Sequence, residues 1–308
     1  MMDLADDRRV EAFLTDELAR ETRALSAVVP VLRHLLATNA EALVSEAILA
    51  RVRGMILDLA IQLRAASLGG DASLRGNDVG GAVDVESLSE RLMDNEALLG
   101  FCHALAAEGL IAERLLKRHG IDPVLSPLLQ ELIASQDSAI ASLAMAAMAA
   151  QSRFVQSQRR MELPLGELPA QLFHALTAQA QAEATDGAML RGLQSSYDEA
   201  ASRVGLISRL IAALRRGITA ALSLEHAGLA LFASALSAAA RVSRNEGVLA
   251  CHVGQGLRLS LMLRAAGLSY SAIERQALLI DPTGRAQYGL GSLSIQQAEA
   301  MLGDGLVL

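Results

Sequence analysis

Leu128-Leu129-Gln-Glu-Leu132-Ile133-Ala-Ser135-Gln136-Asp137-Ser-Ala-Ile140-Ala-Ser-Leu-Ala144-Met-Ala-Ala147-Met148 decides the fold class. Leu128, Leu129, Leu132 and Ile133 recur at the spacing of one helix face, and Ser135-Gln136 interrupts that pattern. Asp137 then suits a helix N-cap, because its carboxylate can accept from first-turn N–H groups that find no partner inside a helix. The residues after it are dominated by alanine, the best helix former, and the pattern predicts one long helix from Asp137 to about Met161. Two helices joined by so short a turn pack side by side.

Helical punctuation continues on both sides. Upstream, Ser87-x-x-Glu90 reads as a capping box, His119-Gly120 as a stop, and Asp122-Pro123 as a cap followed by proline at the first helical position of a helix over 123–134. Downstream, Pro164-Leu-Gly-Glu-Leu-Pro169 breaks the chain and predicts a boundary between two helical lobes, 84–163 and 164–308. Helices are expected near 169–184, 196–216, 218–242, 246–266, 270–280 and 294–302, with Asp281-Pro-Thr-Gly284 as a turn. Residues 1–66 read as an N-terminal helical hairpin turning near Thr38-Asn39. Its second helix carries Val44, Ile48, Val52, Met55, Leu59 and Leu63 on one face, with Arg51, Arg53, Asp58 and Arg64 largely off it. Between hairpin and first lobe, residues 67–83 hold five glycines and read as a flexible loop.

Composition agrees with an all-α protein. The 308 residues are 52% hydrophobic but only 3% aromatic, with few glycines and prolines, which excludes collagen-like, disordered and disulfide-stapled classes. Acidic residues outnumber basic ones by 34 to 27, so a general phosphate-binding surface is not expected, nor nucleic acid as a partner. Cys102 and Cys251 lie 149 residues apart among apolar neighbours, which points to a reducing cytoplasm. The acidic start, Met1-Met2-Asp3-Leu4-Ala5-Asp6-Asp7, lacks the form of a signal peptide. Gly217 to Ala240 is apolar but interrupted by Glu225 and His226, so a buried core helix is expected there and no membrane association.

The stretch from Leu128 to Met148 resembles a HEAT-type repeat, in which an aspartate starts the second helix and small residues let it pack closely on the first. With Gln151-Ser-Arg-Phe154, Gln158-Arg-Arg-Met161 and the proline break after them, it is similar to bacterial HEAT-like helical proteins of unknown function. The resemblance covers about one repeat. It implies an α-solenoid that offers an extended surface to a protein partner and carries no catalytic residues.

Candidate chemistry is sparse. Cys102-His103 and Cys251-His252 each begin a similar phrase, ending in Gly120-Ile-Asp-Pro123 and Gly267-Leu-Ser-Tyr270, which suggests two lobes sharing an ancestral hairpin. Neighbouring helix positions point about 100° apart, so a joint metal site is not expected. His34 has the place of a phosphate-accepting histidine on a helical hairpin, which leaves a phosphotransfer or signalling component as the alternative function, but it lacks a neighbouring carboxylate. His174 and His226 have no motif partners, and Gly254-Gln-Gly256 is read as close helix packing. Leu261 to Arg275 resembles a DNA-binding helix-turn-helix, yet of Tyr270, Ser271, Glu274, Arg275 and Gln276 only one is basic, so a structural terminal hairpin is expected. The densest polar patch is Gln151, Arg153, Phe154, Gln158 and Arg159, the candidate partner-binding surface. The sequence thus predicts a non-enzymatic helical scaffold or adaptor, without cofactor, and leaves homo-oligomerisation open.

Overall fold

The computed structural model describes residues 43–69, 82–184, 187–283 and 293–304, and among them every regular element is helical. The chain forms two compact units, Met1–Ala47 and Ile48–Leu308, and the hydrophobic cores of the described residues lie in the second. The first helix of the expected hairpin, with His34, and most of the glycine-rich loop lie outside the described residues. The elements are α1 (Glu46–Ser67), α2 (Ala82–Met93), α3 (Glu96–His119), α4 (Pro127–Ile133), α5 (Ser138–Arg160), α6 (Ala170–Glu183), α7 (Ala188–Ser196), α8 (Arg203–Leu214), α9 (Leu224–Ala240), α10 (Arg244–Ala250), α11 (Gly256–Ala265), α12 (Tyr270–Ile280) and α13 (Ile295–Asp304). Short 3-10 turns cover Leu165–Glu167, Glu199–Ala201 and Arg215–Leu222.

Local chemistry explains most boundaries. Asp137 accepts from the N–H groups of Ala139 and Ile140 and starts α5; Gly120 adopts φ 67° and ends α3. Asn95 caps α3 through Leu98 N–H, which divides the helical stretch expected between Ser87 and the stop at His119-Gly120. Ser87 lies within α2, not at a cap: starting at Ala82 adds Val85 to the buried face of Leu88 and Leu92. Asp122 caps no helix either. Its carboxylate turns the chain by accepting from Val124 and Leu125, and α4 begins four residues later than expected, behind Ser126. A helix begun at Pro123 would have to hold Ser126 in helical geometry just before Pro127, which the proline ring disfavours.

The stretch expected as one helix over 246–266 is broken at Gly254, where φ is 85°. A Cβ at Gly254 or Gly256 would meet nothing within 4 Å, so the close-packing reading of these glycines is incorrect. The expected 196–216 helix is likewise divided. α7 ends at Ser196, Asp198 caps a 3-10 turn, and α8 begins at Arg203. The core helix expected from Gly217 begins later: Arg215–Leu222 is 3-10, and α9 holds only Leu224–Ala240, kinked at Gly228. Among the described residues no helix is long and apolar enough to cross a membrane.

α3 organises the packing. It touches α2, α5, α9, α10 and α12 and is apolar on nearly every side, as a central helix must be. Its first half, through Ala106, joins α1, α2, α6, α7 and the Leu163–Leu168 turn in one core; its second half, from Ile111, joins α4, α5 and α8 to α13 in another. Both cores therefore draw residues from each side of Pro164–Pro169, and that turn, with Leu163, Leu165 and Leu168 buried, is part of a core instead of a link between lobes. The two Cys-His phrases also occupy different structures. Cys102 is in mid-α3, whereas Cys251 caps the end of α10.

Candidate functional site

The C-terminal end of α5 borders a cavity of about 320 Å³. Phe101, Leu105, Phe154, Leu163, Pro164 and Val204 supply its apolar lining, and Arg153, Gln156, Ser157, Gln158, Arg160, Glu162, Glu167 and Arg203 its polar groups. α5 stops where it does because Met161 takes a left-handed conformation, with φ 57°, and its N–H reaches back to the last turn. Gly54 of α1 makes room for this: a Cβ there would lie 2.5 Å from that of Met161.

The chain leaving α5 is held by two buried side chains of α1. Asp58 accepts from Leu163 N–H at 2.8 Å, while Gln62 donates to Leu163 C=O and accepts from Leu165 N–H. Gln62 also donates to the Asp58 carboxylate at 2.8 Å. Pro164 has no N–H, so this clamp engages both backbone donors on either side of it. Asp58 was placed off the apolar face by sequence spacing; it is only 7% exposed, because the 163–165 turn covers it. Replacing Asp58 by alanine strands a buried N–H and is expected to cost about 2 kcal/mol, measured by urea unfolding.

Beneath the cavity lies an ionic cluster that sequence reading did not single out. Glu108, 1% exposed, sits on α3 between the two cores and receives paired bonds from Arg203 of α8 at 2.7 and 2.9 Å and from Arg244 of α10 at the same two distances. Burial alone would raise the Glu108 pKa, but the two guanidinium groups outweigh it and hold the carboxyl well below its usual range. Arg203 also donates to Gln151 Oε1 and lies 3.7 Å from the centre of the Phe154 ring, a cation–π contact. The only signal in the sequence was a charge inside an apolar run, as in Ala106-Ala-Glu108-Gly-Leu-Ile111.

This geometry divides the five residues of the expected partner surface. Arg153 and Arg159 are exposed and Phe154 is half-buried. Gln151 and Gln158 are not on the surface: they are 5% and 3% exposed. Gln151 bridges Arg203 and Pro123 C=O, and Gln158 turns its amide toward Met55 Sδ, because α3 and α8 cover the side of α5 that a helix end seen alone would expose. Arg153 makes no ion pair or hydrogen bond among the described residues; Arg160 pairs with Glu162 at 3.0 Å.

The remaining candidates are dispersed. Both cysteines are buried free thiols whose pKa burial pushes up to about 12, which removes them as nucleophiles at neutral pH. His252 is buried, with Nδ1 2.8 Å from Val253 C=O. His226 pairs with Glu131 of α4 at 3.0 Å, a partner no motif announced, and His174 packs edge-on against Phe173 and Tyr197. His119 meets Leu279 C=O at 3.0 Å. α11 and α12 reproduce the helix–turn–helix outline, with Gly267 at φ 88° and Ile273 buried. Gln276 is buried as well and accepts from Leu224 N–H, so it belongs to the packing of α12 on α9. Comparison with known proteins finds no matching family model, no curated relative and no matching solved structure.

Proposed function

We propose that this protein is a non-enzymatic helical adaptor and that its protein partner docks over the cavity at the end of α5. The observation that carries the reading is the cavity's composition: an apolar lining with the half-buried Phe154 and the unpaired Arg153 at one wall. Its volume is at the lower end of the range for binding pockets, and arginine and aromatic residues are frequent interface anchors. The HEAT-like reading is kept for the side-by-side pair α4 and α5; α3 packs against α2, α5, α9, α10 and α12, near and distant in sequence, and not only against the next repeat. The cytoplasm is the compartment proposed, since both cysteines are free.

The test is partner capture by the immobilised protein from an extract of its source cell. Arg153→Glu combined with Arg159→Glu is expected to reduce capture, with Tm nearly unchanged because surface substitutions of this kind shift stability by about 0.5 kcal/mol or less. Equal losses of capture and stability would assign both arginines a structural role and overturn the docking reading.

A further inference from the structure

Resting on that docking reading, we infer that the occupant of the cavity is an extended acidic segment of the partner, in which an apolar side chain, best an aromatic one, is flanked by carboxylates three positions apart. Charge complementarity comes first. The protein carries a net charge of −7, yet α5 contains no acidic residue and its last turns bear Arg153, Arg159 and Arg160. The two carboxylates that line the cavity are already engaged: Glu162 with Arg160, and Glu167 as acceptor from Arg203 N–H at 2.8 Å. Arg203 is spent on Glu108. Arg153 is left with a charge that no described residue answers.

Spacing supplies the second constraint. Arg153, Ser157 and Arg160 follow the i, i+4, i+7 pattern of one helix face, and all three line the cavity. At a rise of 1.5 Å per residue the two arginines are offset by about 10 Å along the axis. A chain extended as polyproline II advances about 9 Å in three residues and repeats its side-chain direction every three, so carboxylates at positions n and n+3 reach both cations. The side chain between them enters the apolar lining formed by Phe101, Leu105, Phe154 and Leu163. The Arg160–Glu162 pair is a weak competitor, since Arg160 is 61% exposed, although Glu162 is only 17% exposed, and pairs open to water on one side contribute little. Ser157, whose hydroxyl has no partner among the described residues, leaves the middle of the wall open.

The test measures fluorescence anisotropy of the intact protein with fluorescein-labelled Gly-Glu-Phe-Ser-Glu-Gly and with its counterpart carrying Gln for both Glu. The Glu peptide is expected to bind about tenfold more tightly, to weaken about tenfold on Arg153→Glu, and to lose affinity as salt is raised. Ser157→Trp, which fills the cavity from its half-exposed rim, should abolish binding while leaving Tm unchanged. Equal affinity for the two peptides, with loss in Ser157→Trp, overturns the acidic chemistry and leaves the docking reading standing. Absence of binding by either peptide overturns this inference. A captured partner indifferent to Ser157→Trp overturns the docking reading itself.

Discussion

Replacing Glu108 by glutamine will cost about 3–5 kcal/mol of folding stability at neutral pH, the usual penalty for removing one member of a buried charge cluster. The substitution keeps the shape of the side chain and leaves Arg203 and Arg244, both donating to Glu108, without an anion in the seam between the two cores. Packing is preserved, so the loss reports the charge together with the hydrogen bonds that its second oxygen accepts. Urea unfolding of wild type and variant measures it.

The pH dependence carries a second signature of the same group. A carboxyl whose pKa is depressed by folding contributes its stability above the unfolded value, near 4.3 for glutamate, and loses it as pH falls toward the folded value. Below about pH 4 the unfolded chain takes up a proton that native Glu108 refuses, so wild-type stability should fall steeply with acid. In the glutamine variant this contribution is missing, and the difference between the two proteins should narrow as pH drops below about 4. A difference that stays constant from pH 7 to pH 3 would show that Glu108 acts through hydrogen bonds an amide cannot accept, not by its charge.

Gly228→Ala is expected to cost about 3 kcal/mol, far more than glycine-to-alanine changes at ordinary helix positions, where alanine is favoured. Gly228 interrupts α9 with φ 69° and ψ 164°, a conformation open in practice to glycine alone. It also faces α4: an added Cβ would lie 3.1 Å from the Cβ of Ser126, the residue that caps that helix. Strain and contact act together, and both fall on the packing of α9 against α4. A calorimetric Tm drop of many degrees is the expected readout, whereas an alanine variant as stable as wild type would show that the kink relaxes without cost.

Several features of this molecule were legible along the chain because they depend on few neighbouring residues. Asp137 capping α5, Gly120 ending α3 and the break at Pro164 each involve hydrogen bonds or steric limits within about one turn of helix. Where two such signals compete, as at Asp122-Pro123 and Ser126-Pro127, the local rule also identifies the winner once the constraint on the residue before proline is applied. The all-helical character follows from alanine and leucine content and needs no knowledge of packing.

The candidate site was legible only in part, and the division has a physical cause. Arg153, Phe154 and Arg159 were recognisable as a polar and aromatic cluster at a helix end. Which side of α5 would be covered was not, and Gln151 and Gln158 became buried through contacts from α8, α3 and α1, as much as 103 residues away. Glu108, Arg203 and Arg244 looked like isolated charges in helical sequence, because ion pairing across 95 and 136 residues leaves no periodic trace. Asp58 and Gln62 acquired their role from a turn 101 to 105 residues downstream. Helix ends and helix content follow from short-range chemistry written in adjacent residues. Burial, charge partners and the cavity arise only when α3 is enclosed by helices distant in sequence, since desolvation and electrostatic pairing belong to the assembled packing.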